Sequence, residues 1–124
     1  MTLTGISPVL LGADIERSVE YHRDRLGFEC EVYGNPPDFA AARRDDATLL
    51  LALCADPERI VPNWKIVHNI WNAYIRVDDA DAVLFVFHDT ATTEIYTIYD
   101  APHGFREFDV QDPDGHDIAF GQPL

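Results

Sequence analysis

Basic residues are scarce in this chain: 9 lysines and arginines stand against 22 aspartates and glutamates, a formal net charge of −13. Such a field repels phosphate backbones and anionic lipid, which argues against nucleic acid and membrane surfaces as partners and favours cationic small molecules. It also keeps a protein soluble, so the charge alone does not decide between steering and solubility. Only 2 cysteines are present, too few for a disulfide framework. Cys30 and Cys54 read as buried thiols in adjacent strands, a disulfide between them being the lesser alternative in a reducing compartment. No apolar run is long enough to span a bilayer. Residues 1–13 lack a basic start followed by an apolar stretch, so no secretory signal is visible and the default compartment is the cytoplasm. None of the 5 histidines pairs with another at a metal-binding spacing.

What is present suits a folded domain. The chain of 124 residues is 47% hydrophobic, and a domain of this size buries roughly 60–70% of its unfolded surface without disulfide or metal. Ile6 to Leu11 predicts a first strand, which Pro8 demotes to an edge unless it stands at the strand's start. Asp14 is an N-cap for a helix to Leu26, terminated by Gly27, with Ile15, Val19, His22 and Leu26 on one face. Phe28 to Tyr33, Phe39 to Arg43 and Thr48 to Cys54 predict three further strands, the last apolar enough for burial on both faces. Residues 55–70 read as a connector with one helical turn near Asp56 to Ile60. Asn72 to Val77 is a strand, Asp78-Asp79 can cap a helix to about His88, and Ile95 to Tyr99 and Phe105 to Gln111 are strands again.

The chain closes on Phe108 to Phe120, where Asp112-Pro113-Asp114-Gly115 is a turn signal between two extended runs. Proline presets φ at the second turn position, aspartate bonds nearby amides, and Gly115 supplies a φ that branched residues resist. Leu10-Leu11-Gly12-Ala13-Asp14 before the first helix parallels Ile75-Arg76-Val77-Asp78 before the second. With Leu26-Gly27-Phe28-Glu29, Gly104-Phe105-Arg106 and the closing turn, this order of motifs resembles the vicinal oxygen chelate superfamily. That group comprises glyoxalases, extradiol dioxygenases, fosfomycin-resistance enzymes and bleomycin-resistance proteins. The resemblance covers nearly the whole chain. It implies an α+β fold of two tandem βαβββ units, about 5–54 and about 71–122, forming curved mixed sheets around a cleft.

The same resemblance implies where a metal would be held. Metal-using members place His, Gln or Glu at positions that here are Ser7, a site within Leu51 to Leu53, Asn72 and Ala119. None is a competent ligand for a divalent cation, so no metal, no cofactor and no catalytic residue is expected. Ser7-Pro8-Val9-Leu10 and Gly104-Phe105-Arg106 look more like the bleomycin-resistance branch than like glyoxalase I. That branch implies a homodimer with exchanged units, closing pockets that hold a drug without altering it.

Aromatic side chains fit that use, since their faces stack on flat conjugated ligands. The expected ligand-binding set is Tyr33, Phe39, Trp64, Trp71, Tyr74, Tyr99, His103, Phe105 and Phe108. For Phe39, Tyr74 and Phe108 core packing is the competing reading; Trp64 lies in a loop without an obvious core role. His22 reads as a core histidine. Arg43, Arg76 and Arg106 are either donors to a ligand or partners of surface carboxylates. The alternatives to antibiotic sequestration are a metal-free enzyme drawing on His22, Glu107, Tyr33 or Tyr99, a small-molecule sensor or partner-binding module, and a metalloenzyme with displaced ligands.

Overall fold

Two stretches of this chain fold with the same order of elements and the same sheet topology. The computed structural model describes every residue except Thr93. The first stretch runs β1 (Val9–Gly12), α1 (Ile15–Glu20), β2 (Glu29–Tyr33), β3 (Phe39–Arg44) and β4 (Ala47–Leu53). The second runs β5 (Ala73–Arg76), α2 (Ala80–Asp89), β6 (Tyr99–Ala101), β7 (Phe105–Gln111) and β8 (Asp117–Pro123). The sheets have the orders β1-β4-β3-β2 and β5-β8-β7-β6. In each, the first strand pairs parallel to the fourth and the remaining pairs are antiparallel. The connector holds two short 3-10 turns, Pro57–Arg59 and Asn63–Lys65.

Capping chemistry sets both helix starts. The Asp14 carboxylate accepts from the Arg17 amide at 3.2 Å, satisfying one of the free amides of the first turn. The helix continues as a π-helical turn over Tyr21–Arg25 and stops where Gly27 adopts φ +76°. At α2 the cap is Asp79, accepting from Ala82 at 3.1 Å, rather than Asp78, because the extended backbone that aims a capping carboxylate falls one residue later.

α1 packs on β3 and β4, and α2 on β7 and β8. Leu10, Ile15, Val19, Leu26, Ala40, Ala42, Leu49 and Leu51 fill the first layer and continue into Phe87, Phe108, Val110, Ile118 and Phe120 of the second. Phe108 stacks on Phe120 at 5.4 Å, with Phe87 edge-on to both. The closing turn joins the two units. Asp114 accepts from the Ala13 amide at 3.1 Å and from Arg17 at 2.9 Å, while His116 Nε2 lies 2.8 Å from the Leu11 carbonyl. Gly12 permits this approach, since a Cβ there would lie 2.6 Å from Ser18 Oγ and 3.3 Å from Asp114 Oδ2.

Several expectations are corrected. β1 begins after Pro8, and Ile95 forms only an isolated bridge to Val110, so the sixth strand is Tyr99–Ala101. Cys30 lies on β2 and Cys54 just beyond β4; β3 separates those strands, and both thiols are free and half-buried. β4 is buried on one face only: Leu49 and Leu51 are buried, while Thr48, Leu50 and Ala52 are half-buried on a face that no helix among the described residues covers. That uncovered face carries the cross-strand row Tyr33, Phe39, Ala52 and Leu11. No helix among the described residues is long and apolar enough to cross a membrane.

Candidate ligand-binding cleft

Alternation along β7 divides its residues between two environments. Phe108 and Val110 point to α2 and the core, while Glu107, Asp109 and Gln111 point to the open face of the second sheet. Asp117 of β8, opposite Gln111 in the register, joins them there. Together these residues line a cleft of about 860 Å³ whose walls come from other parts of the chain. The connector supplies Trp64, Lys65, His68 and Trp71, the segment leading into β6 supplies Tyr96 and Thr97, and β6 itself supplies Tyr99. Trp64 is held at the mouth by its indole N–H, which donates to the Gly115 carbonyl at 2.6 Å.

A hydrogen-bonded cluster adjoins the cleft at the β6-β7 end. Glu107, only 3% exposed, accepts from the Tyr74 hydroxyl at 3.2 Å and pairs with His103 Nε2. Burial, with the Glu107 charge beside it, pushes the Tyr74 hydroxyl up to about 12. The rings of Trp71, Tyr74, His103 and Phe105 meet edge-on or tilted, with Trp71 and Tyr74 at 4.7 Å. Tyr74 can lie flat over β8 because residue 121 is glycine: an added Cβ would stand 2.5 Å from Tyr74 Cζ and 2.8 Å from Cε1. Burial, and then the Asp117 charge, raise the Asp109 carboxyl to about 7; burial raises Asp117 as well.

Of the nine expected residues, Trp64, Trp71 and Tyr99 line the cleft, while Tyr74, His103 and Phe105 form a ring cluster that meets it at Trp71. Tyr33 and Phe39 pair with each other at 6.0 Å on the uncovered face of the first sheet, away from this cleft. Phe108 is a core residue, 1% exposed and stacked on Phe120, since the strand alternation that aims Glu107 at the cleft aims its neighbour at α2. His22 is fully buried, its Nδ1 2.8 Å from the Ser18 carbonyl. Arg106 forms ion pairs with Asp81 and Asp100, and Arg43 with Glu31, so neither is aimed into the cleft. Asp109, Asp117 and Tyr96 escaped the sequence reading. For the two acids a signal existed, because a period of two from Glu107 reaches Asp109 and hairpin pairing brings Asp117 opposite Gln111.

The four positions where a metal would be held do not fit one. Leu51 is buried in the core, Ala119 offers a methyl group, Ser7 is exposed in the segment before β1, and the Asn72 side chain accepts from the Asn63 amide at 3.0 Å. Among the described residues no group of three or more His, Cys, Asp and Glu side chains could hold a metal ion.

The model of the glyoxalase/bleomycin resistance protein/dioxygenase superfamily matches residues 6–120. The chain belongs to this superfamily. Among solved structures of superfamily type, the bleomycin-binding protein from bleomycin-producing Streptomyces verticillus, complexed with copper(II)-bleomycin, is 27% identical over 100% of this chain and 99% of its own, with a TM-score of 0.78. A glyoxalase-related enzyme from Clostridium phytofermentans superposes with a TM-score of 0.80 at 14% identity, covering 100% of this chain and 98% of its own. Lactoylglutathione lyase from Agrobacterium tumefaciens gives 0.70 at 18% identity, over 95% of this chain and 92% of that one. These last two likenesses are of fold alone. No curated protein matches the chain.

Proposed function

We propose that this superfamily member is an antibiotic-binding protein that confers resistance by sequestration, holding an aromatic cytotoxic natural product in its cleft and releasing it unchanged. The observation that carries this reading is the cleft itself, with aromatic walls from Trp64, Trp71, Tyr96 and Tyr99; Ser7, Leu51, Asn72 and Ala119, at the positions where metal-using members hold their ion, carry no metal-binding side chain. Flat conjugated ligands gain burial and stacking from such walls. The 27% identity to a protein seen with copper(II)-bleomycin, end to end, supports the same class of ligand.

A homodimer with exchanged units belongs to the proposal. The row Tyr33, Phe39, Ala52 and Leu11 leaves an apolar face open to water, with Tyr33 48% and Leu11 39% exposed. Seating that face over the cleft of a second copy would cover it and bring Tyr33 and Phe39 to the ligand. Sedimentation at micromolar concentration is expected to show a species of twice the chain mass; a 14.0 kDa species alone would overturn this part.

The ligand reading is tested by titrating the protein with copper(II)-bleomycin and a panel of aromatic antibiotics while following tryptophan fluorescence, then recovering the ligand for mass spectrometry. Unchanged ligand and protection of a sensitive bacterium are expected. A second reading, a metal-free enzyme, draws on one observation: buried Glu107 holds His103 and Tyr74 beside the cleft, an acid–base arrangement. Recovery of chemically altered ligand would establish that reading in place of the first.

A further inference from the structure

We infer that Asp114, in the closing turn, is a positioning residue for ligand binding: with Arg17 of α1 it fixes the turn whose Gly115 holds Trp64 at the cleft. Neither Asp114 nor Arg17 lines the cleft, so contacts between the two units set the affinity of a site that neither residue touches. This role rests on the cleft being the binding site and adds what keeps its tryptophan wall in place.

Trp64 lies in the short turn Asn63–Lys65, and the ties within the connector do not aim its ring. Asn63 bonds the Asn72 side chain and the Trp71 carbonyl, which closes the connector on itself. The ring is 37% exposed, so packing alone does not fix it. An indole has a single donor, and here that N–H goes to the Gly115 carbonyl at 2.6 Å. Buried Pro62 packs against the same residue, its Cγ 3.2 Å from where a Cβ on residue 115 would stand. The closing turn therefore holds the connector at both Pro62 and Trp64.

The turn is braced from within and anchored from outside. Asp112 Oδ1 accepts from the amides of Asp114 and His116 at 3.0 and 2.8 Å, and the Gly115 amide donates to the Asp112 carbonyl at 3.0 Å. Three side-chain bonds among the described residues tie the turn to the first unit. Asp114 Oδ1 accepts from the Ala13 amide at 3.1 Å and from the Arg17 guanidinium at 2.9 Å, and His116 Nε2 donates to the Leu11 carbonyl at 2.8 Å. The Asp114 side chain is only 6% exposed, so its charge-assisted bonds are shielded from water. Removing that carboxylate deletes two of the three ties and frees the braced turn to shift as a unit, carrying the Gly115 carbonyl and Trp64 with it. A gap of roughly 0.5–1 Å forfeits a quarter to a half of the attraction between contacting atoms. Half of a wall contribution worth about tenfold in affinity is about threefold.

The test reads Trp64 first and its consequence second. The chain has 2 tryptophans, so in a Trp71→Phe background the emission is that of Trp64 alone. Acrylamide quenching of the ligand-free protein should rise in Asp114→Ala and in Arg17→Met, and keep the parent value in Arg23→Met, which breaks an exposed pair with Asp24 instead. Arg17→Met keeps the apolar stem and removes a group that is 48% exposed, so it stays folded even where Asp114→Ala does not. With Trp71 restored, uncharged acridine at pH 8, followed by its own fluorescence, should bind about threefold more weakly to Asp114→Ala and to Arg17→Met. In a Trp64→Ala background the same substitutions should leave acridine affinity unchanged, because the wall they aim is gone, whereas residues that merely support the fold would weaken binding in both backgrounds. Equal losses in both backgrounds, or unchanged Trp64 quenching in folded Asp114→Ala and Arg17→Met, overturn the positioning role alone. Native protein that binds no acridine overturns the cleft as a binding site, and Trp64 quenching in the ligand-free protein then still decides whether the turn aims the ring.

Discussion

Gly121 leaves room for Tyr74 to reach the buried Glu107 beside the cleft, and replacing it by alanine perturbs one side chain in a calculable way. The added Cβ would run into the hydroxyl of Tyr74 and stand 2.5 Å from its Cζ, so the ring must swing off β8. The backbone at 121 has no left-handed φ, so the cost falls on what Tyr74 must give up when its ring is displaced. That is chiefly its 3.2 Å hydrogen bond to the buried Glu107. Losing a hydrogen bond to a buried charged group costs about 1.5–3 kcal/mol. In a chain of this size that lowers Tm by roughly 8 °C, at roughly 4 °C per kcal/mol. Urea unfolding should show the same loss as a lower midpoint at unchanged slope. A second readout is specific to the site. Phenolate absorbance, taken as the difference between the parent and Tyr74→Phe, should report Tyr74 ionising near 12 in the parent and nearer the ordinary value of 10 in Gly121→Ala. In a Tyr74→Ala background the glycine substitution should be almost neutral, because the group it displaces is gone. An unchanged midpoint with Tyr74 still ionising near 12, or additive costs in the double variant, would refute the reasoning.

Three other outcomes follow from the same geometry. Trp64→Ala and Trp71→Ala should each weaken binding of an aromatic antibiotic by about tenfold or more, stacking of about 1 kcal/mol adding to lost burial; unchanged fluorescence titrations would remove those walls from the site. Asp109 holds in the folded state a proton that the unfolded chain releases near pH 4, so this group's contribution falls as pH rises from about 4 to about 7. Asp109→Asn should therefore melt higher than the parent at pH 8 and lose that advantage towards pH 4; a constant gap would contradict the assignment. His22 is buried and its imidazole is held below the ordinary range, so its contribution is complete above about pH 6.5 and is lost as pH falls and the unfolded chain takes up the proton. His22→Leu should flatten the decline in urea midpoint between pH 7.5 and pH 5, and an unchanged slope would place the acid sensitivity elsewhere.

Local chemistry made most of the elements legible. The Asp14 cap, the Gly27 terminator, the hydrophobic face of α1 and the closing turn are each written within a few residues, and the structure forms them where those residues stand. The second helix start slipped by one residue, from Asp78 to Asp79, because two adjacent aspartates offer the same cap and only the backbone path chooses between them. The Ile95 to Tyr99 stretch has the composition of a strand, but only Ile95 of its first four residues finds a bridge partner, so pairing begins at Tyr99. β4 read as doubly buried because its leucines are nearly continuous; which face the helices cover is a property of the assembled sheet.

The cleft divides in the same way. That aromatic residues were available, and that Ser7, Leu51, Asn72 and Ala119 carry no metal-binding chemistry, could be said from residue types alone. Which aromatics face one space could not, because β7 turns Glu107 and Phe108 to opposite sides and the connector that delivers Trp64 and Trp71 is aligned by long-range bonds such as Trp64 to Gly115. The sequence by itself determined the order of elements and the acidic field, since each follows from side-chain chemistry read locally; that Ser7, Leu51, Asn72 and Ala119 stand at metal-holding positions is what the family resemblance implies. Only the tertiary structure decided that Tyr74 lies over Gly121 to reach a buried Glu107, that Phe108 belongs to the core, and that Asp109 and Asp117 share one face. Those facts depend on strand register and burial, which arise from contacts between residues far apart in the chain.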